Sequence, residues 1–359
     1  MYGVIDIGSN TIRLSLYEIE NGVDIKLVLN KKKVVGLARY IDNGKVMSKR
    51  GIEKAILTLN NLKTITEKNK LEELFIFATA SLRNIKNTEE VLKKIKEETG
   101  MDVTVLSGKE EAFYGFIGAT YKKNIDNGLI IDVGGGSTEL VFLSKGEIQE
   151  SISIPIGSLN MYNKFISKLI PTKEEGKEIK KAVINKLNKI KLELQEYELA
   201  YGIGGTVRGT AKLNNEIFNM LNENREVSFT NIKNIIKTFY NEPKQIISSI
   251  IDVVPDRIHT ILPGMIILKT IMKYYGCKSI ISSEFGIREG YIIEKVINKN
   301  LENKNKVEVK NKNKVEVDNN NKVEVENLDD IEDILIENDQ EKMESKDVWC
   351  RLIKSKKRR

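Results

Sequence analysis

The alternation of apolar and polar residues predicts three consecutive strands at the start of the chain. The segments MYGVIDI, TIRLSLYEIE and VDIKLVLN have this pattern, and the short polar turns GSN and NG separate them. A helical pattern follows over residues 48–69, then an apolar strand LFIFAT, a helix TEEVLKKIKEETG that ends at Gly100, and a strand DVTVL. Residues 107–123 are again helical, and one face carries Ala112, Phe113, Phe116, Ile117 and Thr120.

The same order of elements recurs in the second half. GLIIDVGGG, TELVFLSKGE and IQESISIP are predicted strands, and helices, a strand ELAYGIGG, more helices, a strand KSIIS and a helix IREGYIIEKVINK follow. Each half begins with a strand that ends in D-x-G, at Asp6 and at Asp132. This repetition indicates an internal duplication. We therefore predict two similar α/β lobes with a cleft between them, lobe I over residues 1–123 and lobe II over residues 124–300.

Beyond residue 300 the composition changes. NKVEV recurs at 305, 313 and 321 with no apolar face broad enough for a core, so residues 301–359 are predicted to be a flexible charged tail. Its basic end, RLIKSKKRR, is interpreted as a solvated run of charge.

Composition excludes several kinds of site. One histidine in 359 residues is too few for a histidine-based zinc site, and the two cysteines have no metal-ligand spacing. With no apolar run long enough to span a bilayer and no signal peptide, we expect a cytoplasmic protein without a membrane partner. The formal charge of +7 suits a polyanionic partner or serves solubility.

The segment IDVGGGSTEL, residues 131–140, carries the clearest chemical signal. Asp132 ends a strand, three glycines follow, and Ser137 and Thr138 add hydroxyl donors. Glycines allow the backbone N–H groups to approach phosphate oxygens. Asp132 is then placed to hold Mg²⁺, with Glu139 as a second oxygen ligand or a water-holder. The segment predicts a phosphate site.

Two further loops match this chemistry. In DIGSNTIRL, Asp6 ends a strand, Ser9 and Asn10 form the turn, and Arg13 follows. With the second loop it would clamp a phosphate chain from both sides of the cleft. The third loop, YGIGGTVRG, opens a helix that carries Arg208. The sequence contains neither GxGxxG nor GxxxxGK[ST], which disfavours a dinucleotide site and a Walker P-loop.

Two adjacent glutamates occur in SGKEEA, residues 107–112. Ser107 and Glu110 have the spacing of a capping box, which explains Glu110. Glu111 lies about 100° further around the helix. Without context it is an acid that favours the positive end of the helix dipole.

Taken together, DIGSNTIRL, ATASLRN, SGKEEAF, IDVGGGSTELV, PIGSLNMY and GIGGTVRG resemble, in this order, the exopolyphosphatase and guanosine pentaphosphate phosphohydrolase family. The resemblance spans residues 1–298. It implies the two ribonuclease H-like lobes of the actin, Hsp70 and sugar-kinase superfamily. It also implies a cleft in which Mg²⁺, or Mn²⁺, assists hydrolysis of a terminal phosphoanhydride.

The resemblance also implies roles for individual residues. Glu111 becomes the catalytic base or water-positioner, and Glu139 aligns the water. Asp6, Asp132 and Glu139 would bind the metal. The substrate-binding residues would be Ser9, Asn10, Arg13, Arg83, Gly135, Gly136, Ser137, Thr138 and Arg208. The expected substrate is polyphosphate, with guanosine pentaphosphate as the alternative.

Other functions remain open. A kinase of the same superfamily would need a catalytic aspartate, and the EEA and DIGSN segments speak against it. An actin- or Hsp70-like assembly module would need contacts that the tail does not supply. The tail is also too short and polar for the helical HD-type domain of long family members. No specific nucleic acid partner is expected, and a homodimer is an expectation from the resemblance. His259 stands where the family usually has an acid, and we interpret it as structural.

Overall fold

Two mixed β-sheets organise the computed structural model, which describes residues 1–42, 44–190 and 196–301. The first sheet has the order β3-β2-β1-β4-β5 and the second β10-β11-β9-β6-β7-β8. The strands of the first are Tyr2–Ile7 (β1), Thr11–Glu20 (β2), Asp24–Val34 (β3), Glu73–Ala78 (β4) and Thr104–Val105 (β5). Those of the second are Gly128–Val133 (β6), Thr138–Ser144 (β7), Glu147–Ile154 (β8), Leu199–Ile203 (β9), Glu226–Ser228 (β10) and Ser279–Ser282 (β11).

The topology confirms the predicted duplication. In each half three antiparallel strands come first, and the first of them then pairs in parallel with the next strand, β1 with β4 and β6 with β9. The NG turn between β2 and β3 has positive φ at both Asn21 and Gly22, as a type I′ turn requires. Asp6 and Asp132 are each the penultimate residue of their strand. The duplication therefore delivers one carboxylate from each sheet to the same relative position.

Helices cover both sheets. In the first half they are Lys49–Glu67 (α1), Ala80–Arg83 (α2), Thr88–Thr99 (α3) and Gly108–Thr120 (α4), with a 3-10 turn at Leu37–Tyr40. In the second half they are Ser158–Phe165 (α5), Lys173–Leu187 (α6), Gly204–Ile217 (α7), Phe229–Asn241 (α8), Pro243–Val253 (α9), Ile261–Tyr274 (α10) and Ile287–Ile292 (α11). A 3-10 turn spans Pro255–Arg257, and α11 continues as a π-helical segment, Ile293–Asn298.

Helices α4 and α11 pack against each other and lie between the two sheets. The α4 side chains contact one core cluster with β6, β7 and β9, and Tyr114 joins a second with β1, β2 and β4. The two helices approach closely at glycines. A Cβ atom at Gly118 would lie 2.1 Å from the carbonyl oxygen of Gly286, and one at Gly290 would lie 1.8 Å from that of Tyr114. Only glycine permits this crossing.

Three sequence predictions need correction. The predicted strand DVTVL is reduced to Thr104–Val105, and strand β10 was not predicted. Helix α4 was given one apolar face, whereas it is buried on nearly every side because it lies between two layers. It also contacts the second sheet, so the boundary at residue 123 stays a prediction. The NKVEV repeats, the basic end and all but residue 301 of the predicted tail lie outside the described residues.

Candidate active site

A cavity of about 350 Å³ lies between the two sheets, where the ends of β1 and β6 meet. The loop after β1 and the loop after β6 face each other across it. A Cβ atom at Gly136 would lie 2.6 Å from the hydroxyl of Ser9, and one at Gly135 would lie 3.5 Å from the backbone nitrogen of Asn10. The structure therefore brings the two predicted phosphate loops together.

Local hydrogen bonds fix the shape of the second loop. The N–H of Gly134 donates to the carbonyl of Ser137 (2.9 Å), and the first N–H groups of α5 donate to the carbonyls of Gly134 and Gly135. The side-chain amide of Asn160 donates to the Gly136 carbonyl at 2.7 Å. These bonds occupy the carbonyls of the loop, and in the described residues they leave the N–H groups of Gly135 and Gly136 available to an anion in the cavity that these glycines and Ser137 line.

Most of the predicted site residues line this cavity. They are Asp6, Ser9, Asn10, Arg13, Glu111, Asp132, Gly135, Gly136, Ser137 and Arg208. Three predicted site residues do not line the cavity and lie behind its wall: Arg83, Thr138 and Glu139. The Thr138 hydroxyl donates to the carbonyl of Ile156 (2.6 Å), and one carboxylate oxygen of Glu139 accepts from Ser153 (2.8 Å). Their direct contact with substrate or metal stays a prediction, and the structure gives them positions behind the loop.

Glu111 and Arg83 form a largely buried ion pair. The capping box is confirmed: Ser107 accepts from the N–H of Glu110, whose carboxylate accepts from the N–H of Ser107. Glu111 instead points at Arg83, whose Nη1 donates to it at 2.6 Å and to the carbonyl of Leu106 at 3.0 Å. The other nitrogen, Nη2, lies 3.4 Å from the Ser137 hydroxyl and 3.6 Å from Glu139. Arg83 thus links the two predicted catalytic carboxylates.

The pKa values of Glu111 and Glu139 are both raised above the ordinary value of a glutamate. Burial raises the pKa of Glu111 well above its ordinary value and Glu139 raises it further, whereas Arg83 lowers it. Burial and the nearby Asp132 raise the pKa of Glu139 to about 7. A carboxylate with a raised pKa is a better proton acceptor near neutral pH once it is ionised. The pair of glutamates therefore suits general base chemistry.

Asp6 and Asp132 form a second acidic pair at the cavity. Burial raises the pKa of Asp6, and burial together with the charge of Asp6 raises that of Asp132 to about 6, against the effect of nearby arginines. Within residues 1–42, 44–190 and 196–301, neither carboxylate forms a hydrogen bond or an ion pair. Two carboxylates without partners, beside a phosphate loop, fit Mg²⁺, which typically binds one or two carboxylates plus phosphate oxygens.

Glu139 is not part of that pair. In the described part of the chain no group of three or more histidine, cysteine, aspartate or glutamate side chains is placed to hold a metal ion. Asp6 and Asp132 reach the cavity, whereas Glu139 lies behind Ser137. The metal-binding role of all three residues stays a prediction.

Six cations line the cavity, two of which, Arg13 and Arg208, were predicted from the sequence. The other four are Lys32, Lys212, Arg257 and Arg288. Burial and the neighbouring arginines together lower the pKa of Arg13 to about 10. Arg257 lies against the start of α7, since a Cβ atom at Gly205 would lie 1.6 Å from its Nη2. Guanidinium groups crowded in this way favour an anion between them.

Sequence signals for the missed arginines existed. Arg257 stands in DRIHTILPGM, the segment in which His259 departs from the family pattern. His259 lies outside the cavity with its ring 5.6 Å from that of Tyr162, in keeping with a structural role. Arg288 and Glu289 are adjacent charges in an otherwise apolar segment. Both are buried: Arg288 donates to the Ser15 hydroxyl (2.8 Å), and Glu289 accepts from Tyr17 (2.5 Å).

Comparison with known proteins decides the family. The model of the Ppx/GppA phosphatase family matches residues 15–299. The chain belongs to this family. An exopolyphosphatase 1 of Mycobacterium bovis is 24% identical over 301 residues, which cover 82% of this chain and 88% of that protein.

A second relative is longer. The bifunctional 3-dehydroquinate synthase/phosphatase of Fusobacterium nucleatum is 30% identical over 319 residues, or 82% of this chain and 46% of that protein. This chain therefore spans about half the length of that relative.

Solved structures agree with the family. The Ppx/GppA family member of Aquifex aeolicus has a TM-score of 0.68 at 28% identity, and the match covers 83% of this chain and 98% of that one. An exopolyphosphatase of Cytophaga hutchinsonii has a TM-score of 0.70 at 21% identity, covering 83% of this chain and 97% of that one. The two sheets with their helices thus form the actin-like fold that the sequence predicted. Among the described helices none has the length and apolar character needed to cross a membrane.

Proposed function

We propose that this Ppx/GppA chain is an exopolyphosphatase, which hydrolyses the terminal phosphoanhydride of linear polyphosphate and releases orthophosphate. The observation that carries the proposal is the charge pattern of the cavity. Phosphate loops from both lobes meet there, six cations line the walls, and Glu111 and two strand-end aspartates face the same space. The relative named an exopolyphosphatase supports the same assignment.

In the proposed reaction, the loops and arginines bind the terminal phosphates and neutralise their oxygens. Asp6 and Asp132 would hold Mg²⁺, which when bound would place positive charge beside the phosphate oxygens. Glu111 orients a water and accepts its proton as the water oxygen bonds to the terminal phosphorus. The bond from that phosphorus to the bridging oxygen breaks, and the shortened chain leaves with the electron pair. Arg83 keeps Glu111 in position through the 2.6 Å contact.

Polyphosphate fits the cavity better than guanosine pentaphosphate does. A guanine base is typically held by stacking on an aromatic or other flat side chain. No aromatic side chain is found among the described residues that line the cavity. A linear phosphate chain needs only cations and N–H donors, and the cavity offers both. The proposal therefore assigns polyphosphate as substrate and the nucleotide as a poorer one.

The test is phosphate release from long-chain polyphosphate and from guanosine pentaphosphate, with Mg²⁺, in the wild-type chain and in Glu111→Gln. We expect release from polyphosphate at the higher kcat/KM, and a loss of about 100-fold or more in kcat in the variant. No release from either substrate by the wild-type chain, or full activity in the variant, would refute the proposal. A preference for the nucleotide would reverse the substrate assignment.

A further inference from the structure

A second concentration of positive charge lies on lobe II, on helices that do not line the cavity. Helix α10 packs against α6 and α8. Gly176 of α6 lets them approach: a Cβ atom there would lie 2.1 Å from the Tyr240 hydroxyl on α8 and 3.4 Å from Ile266 on α10. One to two turns from this contact, the three helices carry four lysines. We call them the lysine cluster: Lys180 on α6, Lys233 on α8, and Lys269 and Lys273 on α10.

Lys269 is the unusual member, because it lies on an apolar helix and is only partly exposed. Eleven of the fourteen residues of α10 are buried. Burial lowers the pKa of Lys269, and the charges of the other three lysines lower it further. Partly removing an ammonium group from water beside three other cations costs stability unless an anion is bound.

No acid in the described ranges forms an ion pair with any of the four lysines, whereas some exposed lysines elsewhere are paired. Lys93 pairs with Glu97 and Lys96 with Asp102, for example. The lysine cluster is therefore a surface with four cations, none of which is ion-paired within the described residues. Its chemistry favours a ligand with several closely spaced negative charges.

The cavity cannot enclose a long ligand of this kind. At about 350 Å³ it has the size of a small-molecule site, so most of a long phosphate chain must lie outside it. Single-stranded nucleic acid typically also needs exposed aromatic rings for base stacking. The tyrosines on α8 and α10 are already packed: Tyr240 contacts Gly176, and Tyr274 donates to Asn188 and packs against Tyr275.

We propose that the lysine cluster is a second binding site for linear polyphosphate, which holds a distal part of the chain while the chain end occupies the cavity. This inference rests on the proposed function for its choice of ligand. A second contact makes rebinding of the chain end intramolecular, so it raises the affinity for long chains and leaves that for short chains unchanged. Because lysine–phosphate contacts release counterions, the gain falls with salt.

The experiment replaces all four lysines of the cluster by glutamine in the full chain. A matched control loses the same charge from exposed lysines of lobe I that form no ion pair within the described residues: Lys49, Lys54, Lys68 and Lys70. A third variant replaces the cluster by arginine. Equilibrium binding of long-chain polyphosphate, of tripolyphosphate and of single-stranded DNA is measured with EDTA at two salt concentrations, and phosphate release is measured with Mg²⁺.

We expect the glutamine variant to bind long-chain polyphosphate roughly tenfold more weakly or worse, with a shallower salt dependence. Its KM for the long chain rises, whereas its kcat and its affinity for tripolyphosphate stay at wild-type values. The lobe I control and the arginine variant bind like the wild type. Thermal unfolding checks that each variant is folded, and removing the lysine repulsion should not lower the Tm.

Four outcomes are decisive. Unchanged long-chain affinity in the glutamine variant would overturn the inference, and so would an equal loss in the lobe I control. Equally tight, cluster-dependent binding of single-stranded DNA would overturn the assignment to polyphosphate. Cluster-dependent binding without any phosphate release by the wild type would refute the proposed function and leave the second binding site standing.

Discussion

The crossing of α4 and α11 permits a sharp test, because two glycines one turn apart on α4 differ in what surrounds them. An alanine Cβ at Gly118 would lie 2.1 Å from the backbone oxygen of Gly286. One at Gly115 would meet only the terminal methyl of Ile203, at 3.0 Å. A carbon–oxygen contact needs about 3.3 Å, so Gly118→Ala must push the helices apart by about 1 Å. Gly115→Ala requires only a small side-chain shift.

The two substitutions gain the same helix stability, and they differ in the cost of the contacts that the new methyl group makes. Replacing glycine by alanine inside a helix adds about 1 kcal/mol of stability. Overpacking against backbone costs about 1–3 kcal/mol or more, and separated helices also lose contacts in both adjoining core clusters. We therefore expect Gly115→Ala to be neutral or slightly stabilising and Gly118→Ala to be about 2 kcal/mol less stable than it.

Urea and thermal unfolding measure the difference. For about 300 folded residues, 2 kcal/mol corresponds to roughly 3 °C in Tm. Gly118→Ala should also lower kcat toward polyphosphate, by up to about 100-fold, because α4 carries Glu111 and catalysis is sensitive to displacements of about 1 Å. If the two variants had equal stability and equal kcat, the close crossing would have no role in positioning the site.

Three further predictions concern charges at the site. Arg83→Gln removes the guanidinium that lowers the pKa of Glu111, so the acid limb of the pH–rate profile should move to higher pH; an equal loss of activity at every pH would contradict this. The pKa of Asp132 is about 6 in the folded chain against an ordinary value of 3.8, so its contribution to stability is complete below pH 3.8 and is lost as the pH rises through 6. Without metal, Asp132→Asn should therefore raise the free energy of unfolding increasingly from pH 3.8 to 6, by about 3 kcal/mol above it; a pH-independent gain in urea unfolding would argue against burial as the cause. Asp256→Asn frees Lys32, which is its ion-pair partner at 2.6 Å. The variant should lower the KM for polyphosphate about threefold and have little effect on stability, since both side chains are partly exposed. An unchanged KM would exclude Lys32 from substrate binding.

Local sequence patterns predicted most of the helices and strands, and they predicted the part of the site that holds the two strand-end carboxylates. Strand alternation, the NG turn, Gly100 at the end of α3 and the capping box at Ser107 all depend on near neighbours, and the structure has each of them. The two D-x-G strands predicted that carboxylates from both halves would meet, because equivalent strand ends of a duplicated fold face the same cleft.

Features that depend on the packing of distant segments were not predictable. Residues 112–119, AFYGFIGA, carry no charged side chain that would mark a solvent face, but distant segments decide which two layers enclose α4. Arg257 and Arg288 reach the cavity from segments more than 240 residues after Asp6, and their local sequence does not show that they meet there. Arg83 was assigned to the substrate, and only the folded chain shows its contact with Glu111.

The two adjacent glutamates of SGKEEA show how a helix start positions the proposed catalytic group. Glu110 accepts from the N–H of Ser107 and so fixes the first turn of α4. A step of about 100° then directs Glu111 away from the cap and toward Arg83 and the cavity. The glycine crossing with α11 fixes the other end of the same helix, so neither rotation nor a shift along the axis is free. Replacing Ser107 by alanine should therefore lower kcat, because the cap that positions Glu111 is lost, although Ser107 itself is not among the described residues that line the cavity.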